Sequence, residues 1–173
     1  MKIIKGFYDA VGVVSTWTAK IGRWVVIAII ISIVCEVFMR YVLNSPTIWS
    51  WALSYMLGAS FVGLGVAYTH YQQGNVRVDI IYCKLSPRTR LAIDIFFTVF
   101  FFVPLFFVLS RALIDNAWFA LTSGEFDWSN IWYPKTWPYK SIVALGFLLL
   151  FIQGIAILLK DLVAFLKGGG DPW

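Results

Sequence analysis

The sequence predicts an all-α integral membrane protein: four transmembrane helices preceded by an N-terminal amphipathic helix that lies in the membrane interface. Three observations carry this expectation. Of the 173 residues, 60% are hydrophobic and only 13% are charged, against about 45–50% and about 25% in soluble domains. The mean hydropathy is +0.79, so much of the outer surface has to face lipid. Four apolar runs bounded by charge each approach the ~20 residues that a bilayer-spanning helix needs, and they leave only short connections. A large extramembrane domain is excluded.

The interfacial helix is expected over residues 1–21. There Ile3, Phe7, Val11 and Val14 recur at helical spacing, while Lys2, Lys5, Asp9 and Lys20 are polar, the pattern of a helix lying along a membrane surface. A signal peptide is the competing reading. Against it, the apolar core comes too late and too long and no A-x-A pattern follows, so the segment is expected to stay in the mature protein. A transmembrane domain then covers 22–160, with spans at about 24–43, 48–68, 91–113 and 139–159, and 161–173 forms a tail.

Local signals agree with these limits. Asn44-Ser45-Pro46 breaks the chain after the first span, because proline disfavours helix in the residue before it. Ser86-Pro87 supplies an N-cap with proline at the first helical position of span three, and Pro134 and Pro138 precede span four. Pro104, in the middle of span three, removes one backbone hydrogen bond and should kink the helix.

Orientation follows from the basic residues. Lys2, Lys5, Lys20 and Arg23 precede span one, Arg77, Lys84, Arg88 and Arg90 lie between spans two and three, and Lys160 and Lys167 follow span four. The positive-inside rule puts both termini in the cytoplasm. The third connection sets Asp115, Glu125 and Asp127 against Lys135 and Lys140 among Trp118, Trp128, Trp132, Tyr133, Trp137 and Tyr139, as expected of an outer-face loop with an aromatic belt. Arg40, Trp49, Arg77, Arg88, Trp118, Trp128, Trp132 and Trp137 are the expected membrane-interface anchors. The net charge of +5 reads as orientation and contact with anionic phospholipid of the inner leaflet, without a nucleic-acid partner.

Little in the sequence suggests chemistry. Cys35 and Cys83 stand apart from any metal-binding spacing and read as free thiols, and the single histidine, His70, cannot provide the two axial imidazoles of a transmembrane b-type haem. Phosphate cradles and nucleophile elbows are missing from the sequence, so no catalytic residue, metal or cofactor is expected and the chain is not read as an enzyme.

The candidate sites are therefore contacts. Glu36 and Arg40 are one turn apart and can pair; ionisable groups in a span suggest either a subunit contact or a transport pathway. Ala52, Ala59, Gly63 and Ala67 line one face of span two, and small residues at that spacing let another helix approach closely, from the same chain or from a partner. Gly146, Gln153 and Gly154 lie near a common face of span four, where Gln153 requires a hydrogen-bond partner from a neighbouring helix. These nine are the partner-interface candidates. No substrate-binding residue is expected in this chain.

In order along the sequence stand Phe38-Met39-Arg40-Tyr41-Val42-Leu43-Asn44-Ser45-Pro46-Thr47-Ile48-Trp49, Gly58-Ala59, Gly74-Asn75-Val76-Arg77-Val78-Asp79, Leu85-Ser86-Pro87-Arg88-Thr89-Arg90, Trp132-Tyr133-Pro134-Lys135-Thr136-Trp137-Pro138-Tyr139-Lys140 and Leu150-Phe151-Ile152-Gln153-Gly154. This series resembles the small membrane (Q) subunit of tripartite ATP-independent periplasmic (TRAP) transporters, over about residues 36–160. The resemblance implies a scaffold that packs against a large, elevator-type membrane subunit holding the substrate and sodium sites, with a periplasmic solute-binding protein delivering an organic anion such as a carboxylate or sulfonate. Two places depart from the family pattern. Ala52 stands where a glutamate is common and Gly74-Asn75 where Gly-His is common, so no role of those side chains is carried over. Two rival functions remain: a self-sufficient proton-coupled transporter using Glu36, and a membrane anchor of a respiratory enzyme.

Overall fold

The protein is described here by a computed structural model covering residues 2–72, 86–129 and 131–167. Four helices are long and apolar enough to cross a membrane. The first, α1 (Lys2–Tyr41), has 40 residues and at 1.5 Å per residue extends about 60 Å. The interfacial helix and first span, expected as separate elements, are one helix. Lys20 and Arg23 are good helix formers, and Gly22, the one weak position between them, sits against Leu64 and Phe61 of the next helix, so close packing holds the backbone where propensity alone would loosen it.

Helix α2 (Ser50–Tyr71) folds back antiparallel on α1. Tyr8 and Tyr71 bring their rings to 5.4 Å, Gly22 meets Leu64, and the Ser32 hydroxyl lies 3.4 Å from that of Ser50. Contacts advance along α1 as they retreat along α2, a continuous hairpin. Its turn contains Asn44 at φ 52, a left-handed conformation that asparagine tolerates better than most residues.

The third transmembrane helix has three parts: α3 (Pro87–Phe97), a π-helical turn over Thr98–Phe102, and α4 (Val103–Ser123). Ser86 caps α3 as expected, its hydroxyl accepting the Thr89 N–H at 3.3 Å. The expected disturbance at Pro104 takes the form of the wide turn just before it, where the Val103 N–H donates five residues back to the Thr98 carbonyl. Widening the helix at this point makes room for a proline ring that would otherwise meet the preceding turn. The helix also runs ten residues past the expected end of span three and stops at Gly124, φ 63. Asp115 and Trp118, expected in the third connection, are therefore helical. The charge that ended the apolar run is compensated in place, since Arg111 and Asp115 form an i,i+4 pair at 4.0 Å.

The last helix, α5 (Trp137–Leu166), accepts Pro138 in its first turn, where a missing N–H costs no hydrogen bond. It is the central element, packed on α1, α2, α3, the π turn and α4. The core follows it: Ala144, Leu150, Ala156, Ile157 and Ala164 are buried with Ala52 and Ala67 of α2 and Ala117 and Ala120 of α4. A core built largely of alanine suits a membrane protein, where close backbone approach rather than expulsion of apolar groups from water drives packing. The large apolar side chains point outwards instead, among them Ile30, Ile31, Val34, Phe100, Phe101 and Leu105. Residues 73–85, Asn130 and 168–173 lie outside the described residues, and with them the expected connection around Arg77 and the end of the tail.

Candidate functional site

At Gly63 and Gly146 the backbones of α2 and α5 approach closely. A Cβ on Gly146 would overlap the carbonyl of Gly63, and one on Gly63 would reach the Val143 Cα at 3.0 Å. Ala52 and Ala67 on the same face of α2 are buried. These small residues of α2 pack against α5 of the same chain. Gly154, two turns below Gly146, lies under the edge of the Phe102 ring. Of the nine contact candidates, Ala52, Gly63, Ala67, Gly146, Gln153 and Gly154 are buried inside the bundle, Ala59 and Glu36 are partly covered, and Arg40 is exposed.

Glu36 and Arg40 do pair, as their spacing predicts. The Arg40 Nε and Nη2 donate to Glu36 Oε1 at 3.0 and 2.5 Å. The second carboxylate oxygen is occupied as well: the Thr47 N–H donates to Oε2 at 3.0 Å and the Thr47 hydroxyl donates to the same atom. Thr47 was not among the sequence candidates. It stands between Pro46 and Trp49 just ahead of α2, eleven residues along the chain from the carboxylate it binds. The carboxylate thus ties the end of α1 to the entry of α2. Deeper along the same hairpin the Ser50 hydroxyl donates to the Ser32 carbonyl at 3.2 Å, and the Ser54 hydroxyl lies 3.4 Å from Ser32 Oγ.

Gln153 differs from its expectation. Its side chain is fully buried but neither amide atom has a hydrogen-bond partner, and the same holds for the Ser15 hydroxyl. His70, read from the sequence as an interfacial side chain, is partly covered and stacks on Phe102 with 5.1 Å between ring centroids and 8° between planes. The two rings line a cavity of about 510 Å³ with Thr69 and apolar residues including Phe61, Val66, Phe106 and Leu150.

The connection between α4 and α5 is a small, tied structure. Phe126 and Lys135 form an antiparallel bridge, the Asp127 N–H donates to the Pro134 carbonyl at 2.9 Å, and the Thr136 N–H donates to the Glu125 carbonyl at 3.1 Å. Lys140, from the first turn of α5, reaches Glu125 at 2.6 Å and Asn116 at 3.1 Å. Among the expected anchors, Trp118, Trp128, Trp132 and Trp137 are exposed around this connection. Trp49 is partly covered at the start of α2. Arg88 is exposed at the start of α3, its guanidinium 5.3 Å from the centre of the Phe165 ring, while Arg77 lies outside the described residues. Among those residues no group of histidine, cysteine and carboxylate side chains could hold a metal ion.

Four helices long and apolar enough to span a membrane, a Glu36–Arg40–Thr47 tie and a close α2–α5 crossing are the features of the described residues. The family model for the DctQ component of tripartite ATP-independent periplasmic transporters matches residues 29–164, most of the chain. The chain belongs to this family. No curated protein and no solved structure matches it. As a DctQ component it is a multi-pass inner-membrane protein and the small membrane subunit of a transporter that also has a large membrane component and a periplasmic binding component. The match takes in the Glu36–Thr47 tie, the Gly63–Gly146 crossing and the α4–α5 connection; the first seven turns of α1 lie outside it.

Proposed function

We propose that this DctQ component is a fixed, non-catalytic scaffold supporting the large, elevator-type membrane subunit of a sodium-coupled transporter for organic anions of the carboxylate or sulfonate class. The observation that carries this reading is the state of Glu36. It lies in the outer half of the first span, and donors from Arg40 and Thr47 hold both of its oxygens. Such a carboxylate fastens a turn; it does not present a charge to a solute. The termini face the cytoplasm, where Lys2, Lys5, Lys20, Arg23, Lys160 and Lys167 meet anionic phospholipid. With the small residues committed inside the chain, contact with the large subunit falls to the exposed apolar faces beside Arg40.

The test is expression of the chain together with the proteins encoded beside it. A large multi-span protein should co-purify, and uptake of an organic anion into proteoliposomes should need both chains, a sodium gradient and a periplasmic binding protein. Solute uptake by this chain alone would sink the proposal. The proton-coupled rival would need Glu36 to release four donors from Arg40 and Thr47 in each cycle, and the respiratory-anchor rival finds a single histidine already stacked on Phe102.

A further inference from the structure

Two side chains carry buried polar groups that no hydrogen bond satisfies: the Ser15 hydroxyl of α1 and both amide atoms of Gln153 of α5. Each residue is 0% exposed. The packing of the helices brings them to one level. Helix α1 is antiparallel to α2, while α2 runs parallel to α5, since Tyr55 meets Tyr139 and Gly63 meets Gly146 further along both; α1 and α5 are therefore antiparallel. At one end of their contact the Lys160 ammonium lies 5.2 Å from the centre of the Tyr8 ring. Ser15 is seven residues on from Tyr8 and Gln153 seven residues back from Lys160, two turns along each helix, which returns both to the same face and the same height. Val11 on α1 and Ala156 and Ile157 on α5, one turn from that end, are buried as this register requires.

On the α2 side, the Tyr71 ring lies against Gly12, so the antiparallel pairing puts Ala67, one turn back along α2 and buried, at the height of Ser15. A methyl group satisfies neither polar side chain and takes up little volume. Unmade hydrogen bonds are costly here, because lipid offers no substitute partner. The chemistry of the three groups selects what completes them. Gln153 Nε2 only donates, its Oε1 only accepts, and the Ser15 hydroxyl does both. A cation would satisfy acceptors alone and an anion donors alone. A water molecule donates and accepts, and buried waters make about three bonds to otherwise unsatisfied groups. Both amide atoms are unpaired, so the choice holds whichever way the amide is turned.

We propose that one buried water molecule joins the Ser15 hydroxyl to the Gln153 amide and fastens the N-terminal half of α1 to the last helix. Ser15 lies outside the match to the family model and Gln153 inside it, so the site ties a segment beyond the family frame to that frame. It rests on helix packing and not on the proposed scaffold role or orientation, so either can fail without the other.

The test uses the full chain, in detergent for thermal unfolding and in proteoliposomes for solid-state NMR with nitrogen-labelled glutamine. Ser15→Ala and Gln153→Leu should each lower the unfolding midpoint by roughly 2–4 °C, the scale of one lost contact in a chain of this size. The double variant should fall little further than the worse single one, because either change already breaks the shared bridge. Fully additive shifts would overturn the site. The Gln153 side-chain amide signal, identified by its loss in Gln153→Leu, should receive magnetisation from water, and the transfer should weaken in Ser15→Ala. Coupled stability without any water transfer would mean that the two side chains bond directly, and transfer unchanged by Ser15→Ala would mean that the water is not shared; either result overturns the proposal. A midpoint raised by sodium chloride over choline chloride would replace the water by a cation.

Discussion

The two sides of α5 solve the same packing problem in opposite ways. Towards α2 the contact is backbone on backbone, with Gly146 facing the Gly63 carbonyl and no room for a methyl group. Towards α4 it is ring on ring. Phe106 and Phe147 lie 6.4 Å apart and Phe107 and Phe151 6.0 Å, with one hydrogen bond from the Ser110 hydroxyl to the Phe147 carbonyl at 3.2 Å. Excluded volume fixes the first interface, because backbone cannot turn aside. The second is adjustable, because rings can rotate and share space. The difference teaches where this bundle is tightly set: α1, α2 and α5 form one closely packed unit, and the π-bulged third helix leans on it through deformable side chains.

The sharpest way to break this comparison is Gly146→Ala. The new methyl would collide with the Gly63 carbonyl, so α2 has to move as a whole, at the upper end of the roughly 1–3 kcal/mol typical of overpacking or beyond it. Thermal unfolding of the purified chain in detergent should show a large loss of stability, and Gly63→Ala, which meets the Val143 Cα at 3.0 Å, a smaller one. No single side-chain truncation should rescue either. On the other side of α5, Gly154→Ala strikes only the Phe102 ring. It should cost less, and Phe102→Leu in the same chain should recover most of the loss. Equal rescue on both sides would remove the distinction between a rigid and a deformable face.

The sequence made the helices legible because each span announces itself by length and apolar content, and the Ser86-Pro87 cap and the Pro104 disturbance are local effects that need no tertiary information. Boundaries were harder where charge is compensated locally. Asp115 lies just past the expected end of span three yet pairs with Arg111 on a helix that continues to Ser123. The spacing of Ala52, Gly63 and Ala67 revealed a close-packing face but not its owner, since a helix of the same chain and a helix of a partner demand the same small residues. Thr47 and the shared level of Ser15 and Gln153 were invisible for a different reason: each depends on segments distant in sequence meeting in space.

A gentler probe of the ring side is Ser110→Ala. Its hydroxyl makes the interhelical hydrogen bond described above, and such bonds inside membranes contribute about 0.6 kcal/mol on average. The expected effect is a small drop in the unfolding midpoint, well below that of Gly146→Ala. A drop as large as that one would mean that the α4 side depends on a fixed polar contact rather than on rings.

The smallest effect is expected from Glu36→Gln, and its smallness is informative. Glutamine keeps one carbonyl oxygen to accept from Thr47 or Arg40 and loses only the charge, so the turn between α1 and α2 should loosen without opening. A scaffold needs the turn, whereas a proton pathway needs the carboxyl to gain and lose a proton. In proteoliposomes containing the whole transporter, solute uptake by the Glu36→Gln complex should therefore stay close to wild type, with an unchanged response to an imposed pH gradient. Glu36→Ala, which removes the tie to Thr47 altogether, should lower the yield of assembled complex more than it lowers uptake per complex. Abolished uptake in the glutamine variant, with assembly intact, would return Glu36 to the transport pathway and undo the scaffold reading at the residue on which it most depends.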